Sequence, residues 1–420
     1  MPASSKANHG PAAPEDRYDL PGGQAGSVAA AAPGSRLNVF GRTESWLLDG
    51  KRAQYGTSIL RILLGACAVA IVLTNFMDRK YIWGTASGWA EPYRDDSIWN
   101  FWLFKFFGAG DPDWLLAAKL VLFALFGVAM IVGWRTRIVS IVTLLMFTSL
   151  AALGPTSSDS ADNAFRIMLI YSCFTDGSLK WSLDARRRRL RAARADGHRE
   201  TAAAAATRGT APAFGRSGRR AAASLPTATG WFGVIVHNLA VVAIGAQVII
   251  IYLIAGLAKA RGTWWRDGTA IYYPMHSENF SPWPALNHLL VSNDIMVHLI
   301  SWGSVAIQIV FPLLLLTRWT RRLAVLGMIC MHAGIGVFLG LSVFSLAMVA
   351  ADVIYLRDAT MDSIVAWVRK WGRRRAGGQS DQQQGPAPAV VGESAGDETE
   401  SAGEETQPGS GVRERQGPQT

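Results

Sequence analysis

The sequence predicts an all-α fold, a polytopic transmembrane helical bundle of about eight spans, on three observations. Half of the 420 residues are hydrophobic and only 17% are charged, a balance too apolar for this length unless much of the surface faces lipid. Several windows approach the ~20 apolar residues that cross a hydrocarbon core of about 30 Å. The arginines gather between these windows, so the net charge of +10 reads as a determinant of orientation with some attraction to anionic membrane lipid, not as a nucleic-acid footprint. Cys67, Cys173 and Cys330 lie singly in apolar segments and set up neither a disulfide framework nor a metal site.

Taken in order, residues 1–56 are polar and rich in Gly, Pro and Ala. They are expected to be disordered or, from residue 38, to lie along the membrane surface, leaving the first span to direct insertion. That span covers 57–77 and carries Arg61, near enough to its start for the guanidinium to snorkel. Residues 78–113 interleave Trp83, Trp89, Trp99 and Trp102 with charges, as at a membrane interface. The second span, 115–134, and the third, 138–153, are joined by a turn holding Arg135 and Arg137, which mark the inside. The acidic stretch 154–163 lacks a basic residue and reads as outside.

A weak fourth span, 164–181, leads to residues 182–230, where eleven arginines stand against three acids. This Arg/Ala-rich loop is expected to be cytoplasmic and disordered. The fifth span, 233–257, and the sixth, 295–317, bound an outer loop crowded with aromatic residues. From 323 to 356 the chain is almost wholly apolar, and about 51 Å of helix at 1.5 Å per residue overshoots one crossing, so it is divided near Gly340. Residues 357–420 are expected to be a disordered cytoplasmic tail. The resulting organisation is an N-terminal segment (1–56), a membrane domain (57–356) and the tail, in the cell membrane, with both termini cytoplasmic.

Lys259 closes the fifth span. A lysine there either snorkels into the headgroups or sits desolvated in a pocket as a base or nucleophile. Gln308 and His332 lie mid-way in later spans, where polar side chains are costly unless paired. They either hydrogen-bond each other and lock the bundle, helped by small Gly334 and Gly336, or line a pocket beneath Lys259. His276 falls in the outer loop without metal-ligand spacing.

The stretch YLIAGLAKARGTWWRDGTAIYY, residues 252–273, resembles the HTTM family, which is related to the membrane domain of vitamin K-dependent γ-carboxylase. Ala255-Gly256, Lys259, Trp264 or Trp265, Gly268 and Tyr272-Tyr273 carry the likeness, which continues through FPLLL at 311–315 and MHAGIGVFLGLSVFS at 331–345. Within the family the chain looks most like the bacterial branch related to sporulation-delaying protein B. That resemblance implies an accessory factor in maturation or export of a secreted peptide, with the peptide and its maturation proteins as partners. The alternative it implies is a membrane enzyme using Lys259 as base on a lipid-soluble, quinone-like substrate. Ala258 stands where the carboxylase has the first lysine of a pair, and no large outer domain is expected after the last span, which puts the accessory role first.

Overall fold

The computed structural model describes residues 39–94, 102, 105–154, 160–207 and 228–383. Disorder expected for the chain ends falls mostly on residues outside this set. The chain divides into two compact units, 1–361 and 362–420. Among the described residues every regular element is helical. Six helices among these residues are long and apolar enough to cross a membrane: α2, Gln54–Asn75; α4, Asp113–Val132; α5, Thr136–Leu153; α8, Ala228–Arg261; α12, Asp294–Leu314; and α13, Arg318–Phe338. The other two expected spans are shorter. The fourth, α6 (Ser160–Phe174), has 15 residues, and the eighth, α14 (Ser342–Asp352), has 11 before a 3₁₀ turn at Val353–Tyr355.

Short as it is, α14 packs against α2, α6, α8 and α13. Ala347, Ala350 and Ala351 are fully buried, and small side chains let helix backbones approach closely. The break before it falls at Gly340, whose φ of 72° is a left-handed turn that glycine adopts without a Cβ clash. Leu299, Leu313, Leu323 and Leu326 on α12 and α13 are more than half exposed, a surface that lipid, not water, would cover.

α2 and α4 are joined at a glycine seam. A Cβ on Gly65 would lie 2.6 Å from the Gly127 carbonyl oxygen. Just below that seam Arg61 departs from its expected snorkelling position. It is 2% exposed, and its guanidinium donates to the carbonyls of Gly177, Met130, Ile131 and Trp181. The last carbonyls of α4 have no partner inside the helix, and a buried fork of N–H donors satisfies them better than the headgroups would. The following helix is capped from the same side: the Asp184 carboxylate accepts from the Arg135 and Thr136 N–H groups that open α5.

Three expected disordered or surface segments contain helix. Residues 39–48 form α1, Val39–Leu48. The Arg/Ala-rich loop is helical over α7, Leu183–Thr207. Ala, Arg and Leu are strong helix formers, and the Ser182 hydroxyl accepts from the Ala185 N–H at its start; residues 208–227 lie outside the described set. The expected tail opens with α15, Asp358–Gln383. Its exposed Ile364, Trp367, Val368 and Trp371 follow the i, i+3, i+4, i+7 spacing of a helix lying on a membrane surface, a periodicity that composition alone overlooks.

Candidate functional site

Two polar groups of residues hang from α8. At one end of the helix His237 and Asn238 are fully buried. Asn238 donates to the carbonyls of Leu47 and Gly50, and the His237 ring accepts from the Asp176 N–H. Lys259 stands at the other end, about 30 Å further along the axis at 1.5 Å per residue, a distance matching the hydrocarbon thickness.

Gly256 sets the geometry around Lys259. A Cβ there would lie 2.8 Å from Ile309 Cγ1 and 3.2 Å from Gln308 Cβ, so only glycine lets α8 and α12 approach this closely. One turn later Lys259 Nζ donates to Gln308 Oε1 at 2.9 Å and sits 5.0 Å from the centre of the Trp265 ring. Trp265 belongs to α9, Thr263–Arg266, which the chain enters directly after α8. Gly268, at φ 75°, turns the chain back where a Cβ would strike His298 and Trp302. The Ile271 N–H then bonds Ser301 Oγ at 3.3 Å, seating α10 (Tyr272–His276) on α12. On the far rim, Asn287 of α11 (Pro284–Val291) donates to the Phe338 carbonyl at 2.9 Å and ties that helix to the end of α13.

These elements enclose a cavity of about 570 Å³ between α12 and α13, roofed by Ala270, Pro274 and Met275. Its volume falls within the usual ~300–1,000 Å³ of small-molecule sites. Lys259 is the one charged side chain on its wall; Ile300, Ile307, Met331, Ile335 and Phe344 are typical of the rest. Among the described residues no carboxylate lies within ion-pairing distance of Lys259. Its partners are a neutral amide and the face of an indole, and neither supplies a counter-charge.

The expected site residues separate accordingly. Lys259, Gln308 and Trp265 come together. His332 does not bond Gln308, whose oxygen is taken by Lys259; its Nε2 instead lies 3.1 Å from the Tyr252 hydroxyl. Trp264 stacks on Tyr273 at 4.4 Å and is more than half exposed. His276 is exposed, with Nδ1 on the Tyr272 carbonyl and its ring against Tyr272. Neither lines the cavity. Gly334 faces open space and borders the cavity instead of bringing helices together, whereas Gly336 does meet Ser345 across α13 and α14. Sequence reading missed Asp352, which accepts from Tyr252 Oη at 2.7 Å and is fully buried. A lone acid in an apolar run was the available signal.

Apolar spans with lipid-facing flanks, wrapped around an apolar cavity with one lysine on its wall, define a polytopic integral membrane protein. Residues 234–359 match the HTTM domain, and Lys259, Gln308, Trp265 and the Tyr252 group all fall within that stretch. The uncharacterized protein YitO of Bacillus subtilis is 28% identical over 139 residues, 32% of this chain and 45% of the relative. The chain thus spans less than half the length of that relative. No solved structure matches.

Proposed function

We propose that the protein binds a lipid-soluble, quinone-like molecule in the cavity and that Lys259 acts on it as a base. The observation that supports this reading is the solitary amine on an apolar wall of sufficient volume, held by neutral partners. A quinone-like ring fits the apolar faces of Ile307, Met331 and Phe344, while its polar oxygens meet the Lys259 amine. The unprotonated amine accepts the O–H proton of the bound molecule in its hydroquinone form, becoming an ammonium beside the hydroquinone anion, and Gln308 orients it. His332 takes no direct part, and Trp264 and His276 belong to the outer rim. The site opens toward the outer leaflet, with both termini and the arginine-rich helix α7 on the cytoplasmic side, as the basic segments favour.

The accessory role in maturation or export of a secreted peptide is the second reading. It is favoured by the exposed aromatic shelf of Trp264, Tyr272, Tyr273 and Trp283, a surface suited to an apolar peptide, and by the resemblance to the sporulation-delaying branch. Lys259→Arg separates the two. Arginine keeps the charge, the donor to Gln308 and the stacking on Trp265, but cannot serve as a base. Complementation of a deletion strain at matched protein level should fail with Lys259→Arg and Lys259→Ala alike. In nanodiscs, a photoreactive short-chain quinone should label residues 299–307 or 327–338 of the wild type. Full rescue by arginine, or labelling spread evenly over the lipid-facing helices, would overturn the base and leave the accessory reading.

A further inference from the structure

Below the cavity lies a chain of three buried groups that the proposed base does not use. Tyr252 of α8, His332 of α13 and Asp352 of α14 are each no more than 1% exposed. The Tyr252 hydroxyl sits between the other two, 3.1 Å from His332 Nε2 and 2.7 Å from Asp352 Oδ1. Each end of the chain carries a buried atom without a hydrogen-bond partner, His332 Nδ1 and Asp352 Oδ2. Such orphans are costly, and here they stand at the two termini of one linear path. The histidine end abuts the cavity: its neighbour Met331 is on the wall, and its ring lies 5.5 Å from that of Phe344, also on the wall.

We infer that Asp352, Tyr252 and His332 form a proton-binding relay that takes a proton from the cavity side and stores it on Asp352. Two arrangements satisfy the same heavy-atom positions. In the first, the Asp352 carboxylate accepts from the phenol, and the phenol oxygen accepts from His332 Nε2–H, leaving Nδ1 bare. When a proton binds Nδ1, the Nε2 proton passes to the phenol oxygen and the phenol proton to Asp352. The second state has Asp352 as a neutral acid donating to the phenol, the phenol donating to Nε2, and the proton on Nδ1. One proton has been gained, one carboxylate charge has gone, and no side chain has moved. The ligand of this site is the hydrogen ion.

α14 packs on α2, α6, α8 and α13. The titratable groups these bring near Asp352 are Tyr252 from α8, His332 from α13 and Tyr355 from the following turn, the last committed to the Gly245 carbonyl at 2.5 Å. Lys259 lies further along α8, α2 contributes Cys67, bonded to the Val343 carbonyl, and α6 places no titratable side chain within hydrogen-bonding distance of Asp352. Among the described residues no other carboxylate lies within hydrogen-bonding distance of Asp352.

The test is infrared difference spectroscopy of the purified full chain in nanodiscs between alkaline and acidic buffer, with proton uptake measured in parallel by a pH indicator in weak buffer. Wild type should show a carboxylic-acid C=O band, absent from Asp352→Asn together with one proton of uptake. Tyr252→Phe, which keeps the shape, should retain the band at a shifted frequency, because the neutral acid has lost its acceptor. His332→Gln should slow the uptake without abolishing the band. A band and an uptake unchanged in Asp352→Asn would overturn the relay, as would a band unmoved by Tyr252→Phe. Lys259→Ala should leave the band in place, so failure of the Lys259 base and failure of the relay give different spectra.

Discussion

Replacing Arg61 by methionine, which keeps an unbranched apolar stem and carries no donor, removes all four hydrogen bonds that join α2 to the end of α4 and to the segment after α6. The Gly177 carbonyl is bonded in a buried position, and a buried acceptor left without a partner costs about 1–3 kcal/mol; the Met130 carbonyl also accepts from the Gly133 N–H and keeps that partner. The carbonyls of Ile131 and Trp181 are partly buried and regain water, at a cost under about 1 kcal/mol each. The total is roughly 1–5 kcal/mol, or about 2–8 °C in melting temperature for a domain of this size. Lysine recovers only part, because one ammonium cannot reach a forked set of acceptors. Thermal unfolding in detergent, read by reaction of the fully buried Cys67 thiol with a fluorogenic reagent in a Cys173→Ser, Cys330→Ser background, measures the change. A loss below about 1 kcal/mol for Arg61→Met, or a neutral Arg61→Lys, would show a hydrated interfacial guanidinium and refute the buried assignment.

Two glycines in comparable helices should respond oppositely. Gly65→Ala drives a methyl into the Gly127 carbonyl region and should destabilise by about 2 kcal/mol, whereas Gly334→Leu enters open cavity space and should leave the melting temperature nearly unchanged while blocking probe labelling; equal melting shifts would contradict the packing. Asp176 follows α6 and meets Lys51 at 2.5 Å. Burial pushes its carboxyl up, but Lys51 and the Ser178 hydroxyl and N–H outweigh burial and hold it down to about 2. Its folded value therefore lies below the unfolded ~3.9, so its contribution is complete above about pH 4 and is lost as pH falls toward 2. Lys51→Met should flatten that acid-side loss of stability, and an unchanged slope in melting against pH would sink the pairing.

Hydropathy made the long spans legible because lipid demands an apolar run of set length, and α2, α4, α5, α8, α12 and α13 meet that demand by their own residues. α6 and α14 were harder, since a helix sheltered by neighbours needs neither full length nor uniform apolarity. Arg61 was misplaced for a related reason: a sequence shows that a guanidinium lies near a span's end, not that the carbonyls of another helix end beside it. The Lys259–Gln308 pair depends on Gly256 bringing α8 against α12, a register between helices that no one-dimensional pattern encodes. Asp352 was visible as a lone acid, yet its partner Tyr252 lies 100 positions away on another helix, and His332, which joins it through that hydroxyl, lies 20 away.

The start of α2 has no cap of its own. Ala53 precedes it at φ 48° and offers no side-chain acceptor, and the N–H groups of Gln54 and Tyr55 bond instead to the Asp358 carboxylate, at 3.1 and 3.0 Å. A Cβ on Gly56 would sit 3.0 Å from the Val353 carbonyl oxygen and the Ile354 Cα on the same seam. During synthesis the first span thus enters the membrane with two bare donors, and its capping partner leaves the ribosome only after every other span has been made. Until then the start of α2 stays uncapped, and Asp358 at the start of α15 supplies the missing acceptors.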